Sequence, residues 1–144
     1  MWRIARDSRT LDVNTSYAYL LWARDFAATS VVAVDPDEGT CGFVSGYRRP
    51  DRPDTLMVWQ VAVDASQRGR GVARQMLDHL FERDDDVTAL ETTITADNAA
   101  SIALFSAFAR GQGLTEDRST LFPESAFPDG HDAELLFRFA PGES

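Results

Sequence analysis

The sequence contains no lysine, a single cysteine and no long apolar run. No apolar stretch approaches the roughly 20 residues that a membrane-spanning helix needs. Cys41 has no second cysteine with which to form an internal disulfide, and residues 1–7 hold no apolar stretch of secretory type. We therefore expect a cytoplasmic protein that does not enter a membrane.

An excess of basic charge is also missing. The net charge is -9 and all 14 basic residues are arginine. Nucleic-acid-binding surfaces need clustered positive charge, so we expect no nucleic-acid partner. An acidic chain suits a small cationic substrate instead. Arginine without lysine, together with the acid excess, fits either a GC-rich coding bias or a salt-adapted proteome.

The length of 144 residues, with 44% hydrophobic and 26% charged residues, is typical of one globular domain spanning residues 1–144. Alternation over residues 2–6 predicts a first strand. Apolar residues at helical spacing from Tyr17 onwards predict a helix capped by Asn14 or Thr15. The β-branched residues 31–34, a Pro- and Gly-containing turn, and residues 41–47 predict a hairpin.

The second half of the chain continues the alternation of strands and helices. Residues 48–54 read as a polar loop, 55–63 as a long buried strand, 71–83 as a helix, 89–95 as a strand and 98–110 as a helix. Residues 133–140 predict a last strand. Residues 111–130 fit a long loop, with a short strand near Leu114 or Thr120. This order predicts an α/β fold, a mixed sheet with helices on both faces.

A glycine-rich turn joins the long strand to the helix that follows it. Unpaired N–H groups at a helix N-terminus, with the helix dipole, favour a pyrophosphate such as that of coenzyme A. Gly69 and Gly71 allow close approach of the backbone, and Arg68 and Arg70 add positive charge. Such a turn alone also fits a tight surface turn. A Walker loop would need Gly-Lys-Ser/Thr, and a dinucleotide fingerprint would need a third glycine.

Residues 59–64 and 67–73 resemble the acetyl-CoA motif of the GNAT N-acetyltransferase superfamily, with Arg-x-x-Gly-x-Ala running from Arg68 to Ala73. The resemblance implies the GNAT fold, with a mixed, mostly antiparallel sheet. It implies acetyl-CoA as cosubstrate and no metal. Asn98, which also fits an ordinary helix N-cap, lies in a second superfamily motif. The implied cofactor-binding residues are Val61, Ala62, Val63, Arg68, Gly69, Arg70, Gly71, Val72, Ala73, Asn98 and Ser101.

Five stretches, residues 11–21, 25–27, 59–64, 91–98 and 131–138, are similar to the L-2,4-diaminobutyrate acetyltransferases. The similarity runs over about residues 11–138. It implies acetylation of the 4-amino group of L-2,4-diaminobutyrate in ectoine (osmolyte) biosynthesis under osmotic stress, by a homodimer. The implied substrate-binding residues are Asp12, Tyr17, Trp59, Thr93 and Glu134, with His131 as further pocket lining. Taken alone, Asp12 also fits a helix entry and Glu134 a solvated charge beside a strand.

Acetyl transfer needs a neutral amine, a stabilised oxyanion and a proton for the leaving thiolate. We expect direct attack in a ternary complex, with the N–H of Val61 or a neighbour polarising the thioester carbonyl. Glu134 or His131 is expected to receive the amine proton, in part through water. Many GNAT enzymes carry a tyrosine as thiolate donor at the position of Phe105. Tyr17, Tyr19 or a water then has to supply that proton.

Two other functions fit the same features. A GNAT enzyme for another cationic amine, such as a diamine, polyamine or antibiotic, would share the cofactor motif. A non-catalytic acyl-CoA-binding module would share it as well. Turnover of a panel of amines separates these three readings.

Overall fold

A computed structural model describes residues 1–143. It contains one six-stranded sheet in the order β1-β2-β3-β4-β6-β5. The strands are β1 Val31–Asp35, β2 Gly39–Arg49, β3 Arg52–Val63, β4 Ala89–Ile94, β5 Thr115–Phe122 and β6 Glu134–Ala140. Only the β3–β4 pair is parallel, and every other neighbouring pair is antiparallel. The expected mixed, mostly antiparallel sheet is confirmed.

Four α-helices flank the sheet on its two faces. They are α1 Trp2–Ser8, α2 Ser16–Asp25, α3 Val72–Glu82 and α4 Ala99–Gln112. Val44 packs in the larger core with Leu77 of α3 and Phe108 of α4. Its strand neighbour Phe43 packs on the opposite face with Ile4 of α1. Because consecutive side chains of a strand point to opposite faces, one strand supplies both cores. None of the helices within residues 1–143 has the length and apolarity to cross a membrane.

The prediction of a strand over residues 2–6 was wrong, because this segment forms α1. Ile4 and Ala5 are adjacent and both buried, which one helix face allows and a strand does not. Arg3 pairs with Asp7 one turn later and donates two hydrogen bonds to Asp64 at the end of β3. The tertiary contacts therefore override a short local alternation.

The loop predicted over residues 48–54 also needs correction. Residues 48–54 form the ends of two strands, with Arg49 opposite Arg52, so the connection is a tight turn. The short strand expected near Leu114 or Thr120 within residues 111–130 is present as the eight-residue strand β5, which pairs with β6. The other predicted elements are confirmed within a few residues, including Thr15 as the cap of α2, whose side chain accepts from Ala18 N.

Candidate active site

The candidate site lies where β3 and β4 separate. Their pairing ends at Val58 and Thr92. On the other edge of β3 the register with β2 shifts between Ser45 and Gly46, so Trp59 is an extra residue in a β-bulge. The hydroxyl of Ser45 accepts a hydrogen bond from Gln60 N at 3.2 Å beside this bulge. The main chain that follows Trp59 therefore borders an opening between the two parallel strands.

A groove of about 240 Å³ runs along this opening. The groove brings residues 61–63 of β3, predicted to contact pantetheine, together with the start of α4 and with Arg68 of the glycine turn. The groove is lined by Ser8, Thr10, Val61, Ala62, Val63, Arg68, Ala73, Ala100, Ser101 and Leu104. Six of these ten residues belong to the predicted cofactor set, so the sequence motifs converge on one surface.

The glycine turn has the geometry that close approach to an anion requires. Gly69 and Gly71 have φ values of 81° and 72°, where a side chain would be strained. Gly71 is the N-cap of α3 and offers no side chain to the first-turn N–H groups. Those groups therefore keep their hydrogen-bonding capacity for a ligand, and the dipole of α3 adds a positive field. A second groove along Gly69, Gly71 and Val72 continues the surface.

The arginines of this turn are held by hydrogen bonds to the protein. Arg68 Nε donates to the carbonyl of Val63 at 3.3 Å, and Arg70 Nη1 donates to Gln67 Oε1 at 3.2 Å. Gln67 is buried, and its Nε2 donates to Asp35 and Glu38 in the β1–β2 turn. The β1–β2 turn therefore holds the glycine turn in place. Sequence reasoning did not assign this role to Gln67, because no local pattern points to a partner about 30 residues away.

A smaller cavity of about 90 Å³ adjoins the groove deeper in the opening. Trp59 and Thr93, predicted for the substrate, meet Asn98 and Ser101, predicted for the cofactor. Its lining is Leu11, Val58, Trp59, Val61, Thr92, Thr93, Ile94, Asn98, Ser101 and Phe105. Phe105 forms a buried wall of this cavity, since its ring stacks on Phe139 at a centroid distance of 6.2 Å.

Asn98 is the N-cap of α4, which confirms the prediction of an ordinary helix cap at this residue. Its side-chain oxygen accepts from Ser101 N at 3.2 Å. The residue also lines the smaller cavity. The cap uses the side-chain oxygen of Asn98, and the amide nitrogen remains available for the predicted cofactor contact.

Asp12, His131 and Glu134 lie together, and none of the three lines the groove or the smaller cavity. His131 Nε2 is 3.7 Å from Glu134 Oε1 and 3.9 Å from Asp12 Oδ2. The Glu134 side chain is 20% exposed, whereas that of Asp12 is 93% exposed. Glu134 Oε2 is buried and has no hydrogen-bond partner within 3.5 Å among residues 1–143, although the Thr93 hydroxyl is near enough to the carboxyl to lower its pKa. Buried polar atoms are normally paired, so this oxygen is one to which a ligand can bind.

Burial governs the charge of Glu134. Desolvation raises the pKa of its carboxyl above the ordinary value of 4.5, and the nearby Asp12 carboxylate adds to this shift. The Thr93 hydroxyl and His131 act in the opposite direction. The pKa of His131 is raised, first by its hydrogen bond to the Asp132 carbonyl and then by the surrounding acids. Both groups therefore hold their protons to a higher pH than the same side chains do in water.

The orientation of His131 follows from two contacts. Its Nδ1 lies 2.6 Å from the carbonyl oxygen of Asp132. Because a carbonyl only accepts, Nδ1 carries hydrogen and Nε2, which faces Glu134, is the nitrogen that gains or loses a proton. The imidazole also stacks on Phe127, with ring centroids 4.4 Å apart and planes 24° apart. Sequence reasoning did not select Phe127, because it stands in a segment without regular periodicity.

Trp59 sits at the edge of an aromatic cluster. Its ring is 38% exposed, stacks on Tyr19 and lies 4.7 Å from the ring of Trp22. The Tyr19 hydroxyl donates to Gln60 Oε1 at 2.8 Å, and Gln60 Nε2 donates to the carbonyl of Asp12 at 2.8 Å. The backbone of Asp12 is therefore fixed while its carboxylate remains in solvent. Trp22 and Gln60 were not among the predicted site residues.

The structure places Tyr17 apart from the two cavities. Its side chain is 67% exposed on α2, and it lines neither the groove nor the smaller cavity. Its roles in substrate binding and catalysis stay predictions. Within residues 1–143, no group of three or more His, Cys, Asp or Glu side chains is arranged to hold a metal ion.

Known proteins resemble this chain in both sequence and fold. The model of the acetyltransferase (GNAT) family matches residues 1–109. An L-2,4-diaminobutyric acid acetyltransferase from Streptomyces coelicolor is 54% identical over 98% of this chain and 85% of its own length. The protein of the same name from Nocardia farcinica is 54% identical over 98% of this chain and 74% of its own length.

Among solved structures, diaminobutyrate acetyltransferase EctA from Paenibacillus lautus, in complex with L-2,4-diaminobutyric acid and coenzyme A, is similar with a TM-score of 0.90. It is 36% identical, over 97% of this chain and 86% of that one. A ribosomal-protein-alanine N-acetyltransferase from Brucella melitensis, 24% identical with a TM-score of 0.72 over 98% of this chain and 91% of that one, shares the fold.

Proposed function

The chain belongs to the GNAT acetyltransferase family, and on that premise we propose that it transfers the acetyl group of acetyl-CoA to the 4-amino group of L-2,4-diaminobutyrate. Relatives at 53–54% identity are L-2,4-diaminobutyric acid acetyltransferases. The observation that carries the proposal is Glu134 Oε2, a buried carboxylate oxygen without a partner among the described residues. An amine substrate supplies the donors that this oxygen lacks.

The charge of the site suits this substrate, which carries two amines and one carboxylate. Glu134 is largely buried and Asp12 is exposed to solvent, and their carboxyl groups lie 3.7 and 3.9 Å from the same imidazole. The two carboxylates would bind the two ammonium groups of the substrate, one at a buried position and one at an exposed position. Trp59 presents a partly exposed ring beside them, and an aromatic face favours a cation. We propose Tyr17 and Thr93 as further substrate contacts.

The cofactor residues supply binding and orientation. We propose that main-chain groups of Val61 and Val63 bind the pantetheine arm in the groove. The turn at residues 68–73 would hold the pyrophosphate at the N-terminus of α3. Asn98 and Ser101 would contact the thioester end from the start of α4. This arrangement aims the acetyl group at the smaller cavity that Trp59 and Thr93 line.

Direct attack follows from this arrangement. The amine must lose its proton before or during attack, and Glu134 with His131 provides an acceptor whose exposed side leads to solvent. The N–H of Val61, on the strand edge that borders the opening, would stabilise the oxyanion. Because the pKa values of both Glu134 and His131 are raised, the accepting forms increase as the pH rises through those values. We therefore expect activity to increase from acidic to neutral pH.

The direct test is coenzyme A release with a panel of amines. Diaminobutyrate should react faster than ornithine, lysine or putrescine, and NMR of the product should show acetyl on the 4-nitrogen. Equal rates across the panel would support a broader amine acetyltransferase. Binding of acetyl-CoA without turnover of any amine would support a non-catalytic module.

We further propose that the protein is a homodimer working in the cytoplasm, where acetyl-CoA is available, and that its product feeds ectoine biosynthesis. The edge strand β5 is exposed along all eight residues, including Leu121 and Phe122. Exposed edges with apolar side chains are commonly covered by a partner. Sedimentation of the purified protein as a 16 kDa species would contradict the dimer.

A further inference from the structure

The thiolate that leaves coenzyme A needs a proton, and the position at which many GNAT enzymes carry a tyrosine is Phe105. Phe105 is 3% exposed and has no polar atom to donate. Another group near the thioester must therefore donate or relay that proton. The need for such a donor rests on the proposed acetyltransferase function.

Neither tyrosine of α2 lines the groove or the smaller cavity. The Tyr19 hydroxyl donates its proton to Gln60 and its side chain is 4% exposed, so it is committed to a buried hydrogen bond. The Tyr17 ring is 67% exposed and borders neither cavity. In the smaller cavity, Thr92 Oγ1 donates to the Val58 carbonyl at 3.1 Å. None of these hydroxyls is placed to serve a thiolate in the groove.

Two residues line both the groove and the smaller cavity: Val61 and Ser101. The groove holds the predicted pantetheine contacts, and the smaller cavity holds two of the predicted substrate contacts, Trp59 and Thr93. The thioester that joins these two halves of the reaction belongs at their shared boundary. Val61 stands on the β3 side of that boundary and Ser101 on the α4 side.

Ser101 also stands one helical turn before Phe105, so the two side chains lie on the same face of α4. The backbone N–H of Ser101 bonds to the Asn98 side chain, which fixes the first turn of the helix. A hydroxyl at this position reaches the region over which a tyrosine at position 105 would extend. The serine is small enough to leave room for the sulfur.

We propose that the Ser101 hydroxyl is the group that protonates the leaving thiolate, in place of the missing tyrosine. The amine nitrogen forms the C–N bond, the C–S bond breaks, and its electron pair leaves with sulfur. The amine proton passes to the Glu134–His131 pair. The sulfur takes the hydroxyl proton of Ser101, and a water in the open groove donates a proton back to Ser101 in the same step. The hydroxide formed from that water is neutralised by the amine proton, which the Glu134–His131 pair releases to solvent. The net products are amide and free thiol.

The test compares Ser101→Ala with Ser106→Ala on the same helix. Ser106 bonds Glu116 outside both cavities, so its variant controls for a serine-to-alanine change in α4. Ser101→Ala should lower kcat by about 100-fold, at the lower end of general acid catalysis, while the KM for acetyl-CoA rises only a few-fold from the lost cofactor contact. Ser106→Ala should retain the wild-type kcat, and Ser101→Thr should recover most of it.

A double variant tests whether the loss of turnover in Ser101→Ala is specifically the loss of a proton donor. Phe105→Tyr introduced into Ser101→Ala should restore turnover by supplying a phenol at the same boundary. Circular dichroism melting of every variant separates lost chemistry from lost folding. A Ser101→Ala enzyme with wild-type kcat, or with only a raised KM for acetyl-CoA, overturns the assignment. Wild-type protein without diaminobutyrate turnover would overturn the proposed function instead, so the two failures are distinct.

Discussion

The hydroxyl of Tyr19 donates a 2.8 Å hydrogen bond to Gln60 Oε1, and through this bond α2 fixes the substrate side of the site. Gln60 is buried and passes the constraint on, because its Nε2 donates to the carbonyl of Asp12. The chain of hydrogen bonds links α2, the bulged part of β3 and the segment that carries a proposed substrate carboxylate. These residues hold the Asp12 segment in position and do not take part in proton transfer.

Tyr19→Phe should therefore reduce stability and substrate affinity more than turnover. The change leaves Gln60 Oε1 buried without its donor, which costs about 1–2 kcal/mol of unfolding free energy. The KM for the amine should rise as the Asp12 segment loosens, while kcat at saturation stays within a few-fold of wild type. Urea unfolding and steady-state kinetics measure the two effects. A large fall in kcat at unchanged KM would instead make Tyr19 the thiolate donor.

Glu134→Gln should lower kcat by about 100-fold and change the dependence of stability on pH. The pKa of Glu134 in the native state lies above its ordinary value of 4.5. Unfolding therefore releases a proton between these two values, and the native state loses stability as the pH rises through this window. Glutamine does not titrate, so the variant should gain in melting temperature relative to wild type as pH rises, then hold a constant difference.

Melting temperatures from about pH 4 to pH 8 test this direction for Glu134. His131→Gln is the comparison, because the raised pKa of His131 acts with the same sign in a higher window. The stabilisation that protonated His131 gives the native state is complete below its ordinary pKa of 6.5. This stabilisation is lost as the pH rises through the raised native pKa. Equal melting curves for wild type and Glu134→Gln at every pH would show that Glu134 is not desolvated. Unchanged turnover in Glu134→Gln would remove it as the proton acceptor.

Much of the fold followed from local sequence patterns. Helix α3 has a strong apolar stripe and starts at Gly71, and α4 has an amide cap at Asn98, so both were predictable. Helix α1 was mistaken for a strand because its stability comes from distant partners, chiefly Asp64. The bounds of strand β5 are hard to predict from sequence because all eight of its residues are exposed, so no alternation of buried and exposed residues marks it.

The site was predictable to a different extent. The glycine turn is contiguous, so its residues indicate a phosphate-binding surface directly. Asp12 and His131 are separated by more than 100 residues, and their proximity comes from the sheet order that brings β6 beside β4. Only resemblance to a family could place them together in advance. The buried glutamines Gln60 and Gln67 escaped prediction because a polar side chain with distant partners has no period in sequence.

Phe127→Leu should alter catalysis by releasing His131 from its stacking partner. The ring of Phe127 lies 4.4 Å from the imidazole, and that stacking holds Nε2 towards Glu134. We expect a several-fold lower kcat, a shifted pH profile and little change in the KM for acetyl-CoA. Phe122→Leu is a matched control, because Phe122 contacts Phe127 edge-on and makes no stacking contact with His131.

NMR titration in a His79→Gln background isolates the signal of His131 in wild-type and variant proteins. The variant should show a changed pKa for His131 together with the shifted kinetic profile. If kcat falls with neither change, Phe127 supports only the folding of residues 123–133. If Phe122→Leu gives the same kinetic shift, the effect belongs to the whole aromatic group.

Gly71→Ala should weaken cofactor binding more than its backbone strain explains. Gly71 has φ 72° and caps α3, so a Cβ here costs about 1–2 kcal/mol and projects beside the proposed pyrophosphate site. Gly113 provides a matched control, since it has φ 70° at the end of α4 and a Cβ there would meet no heavy atom within 4 Å. Both alanine variants should lose similar stability in urea, because both strain the same backbone region. Calorimetric titration with coenzyme A should show a raised Kd for Gly71→Ala alone; equal affinities for the two variants would place the pyrophosphate elsewhere.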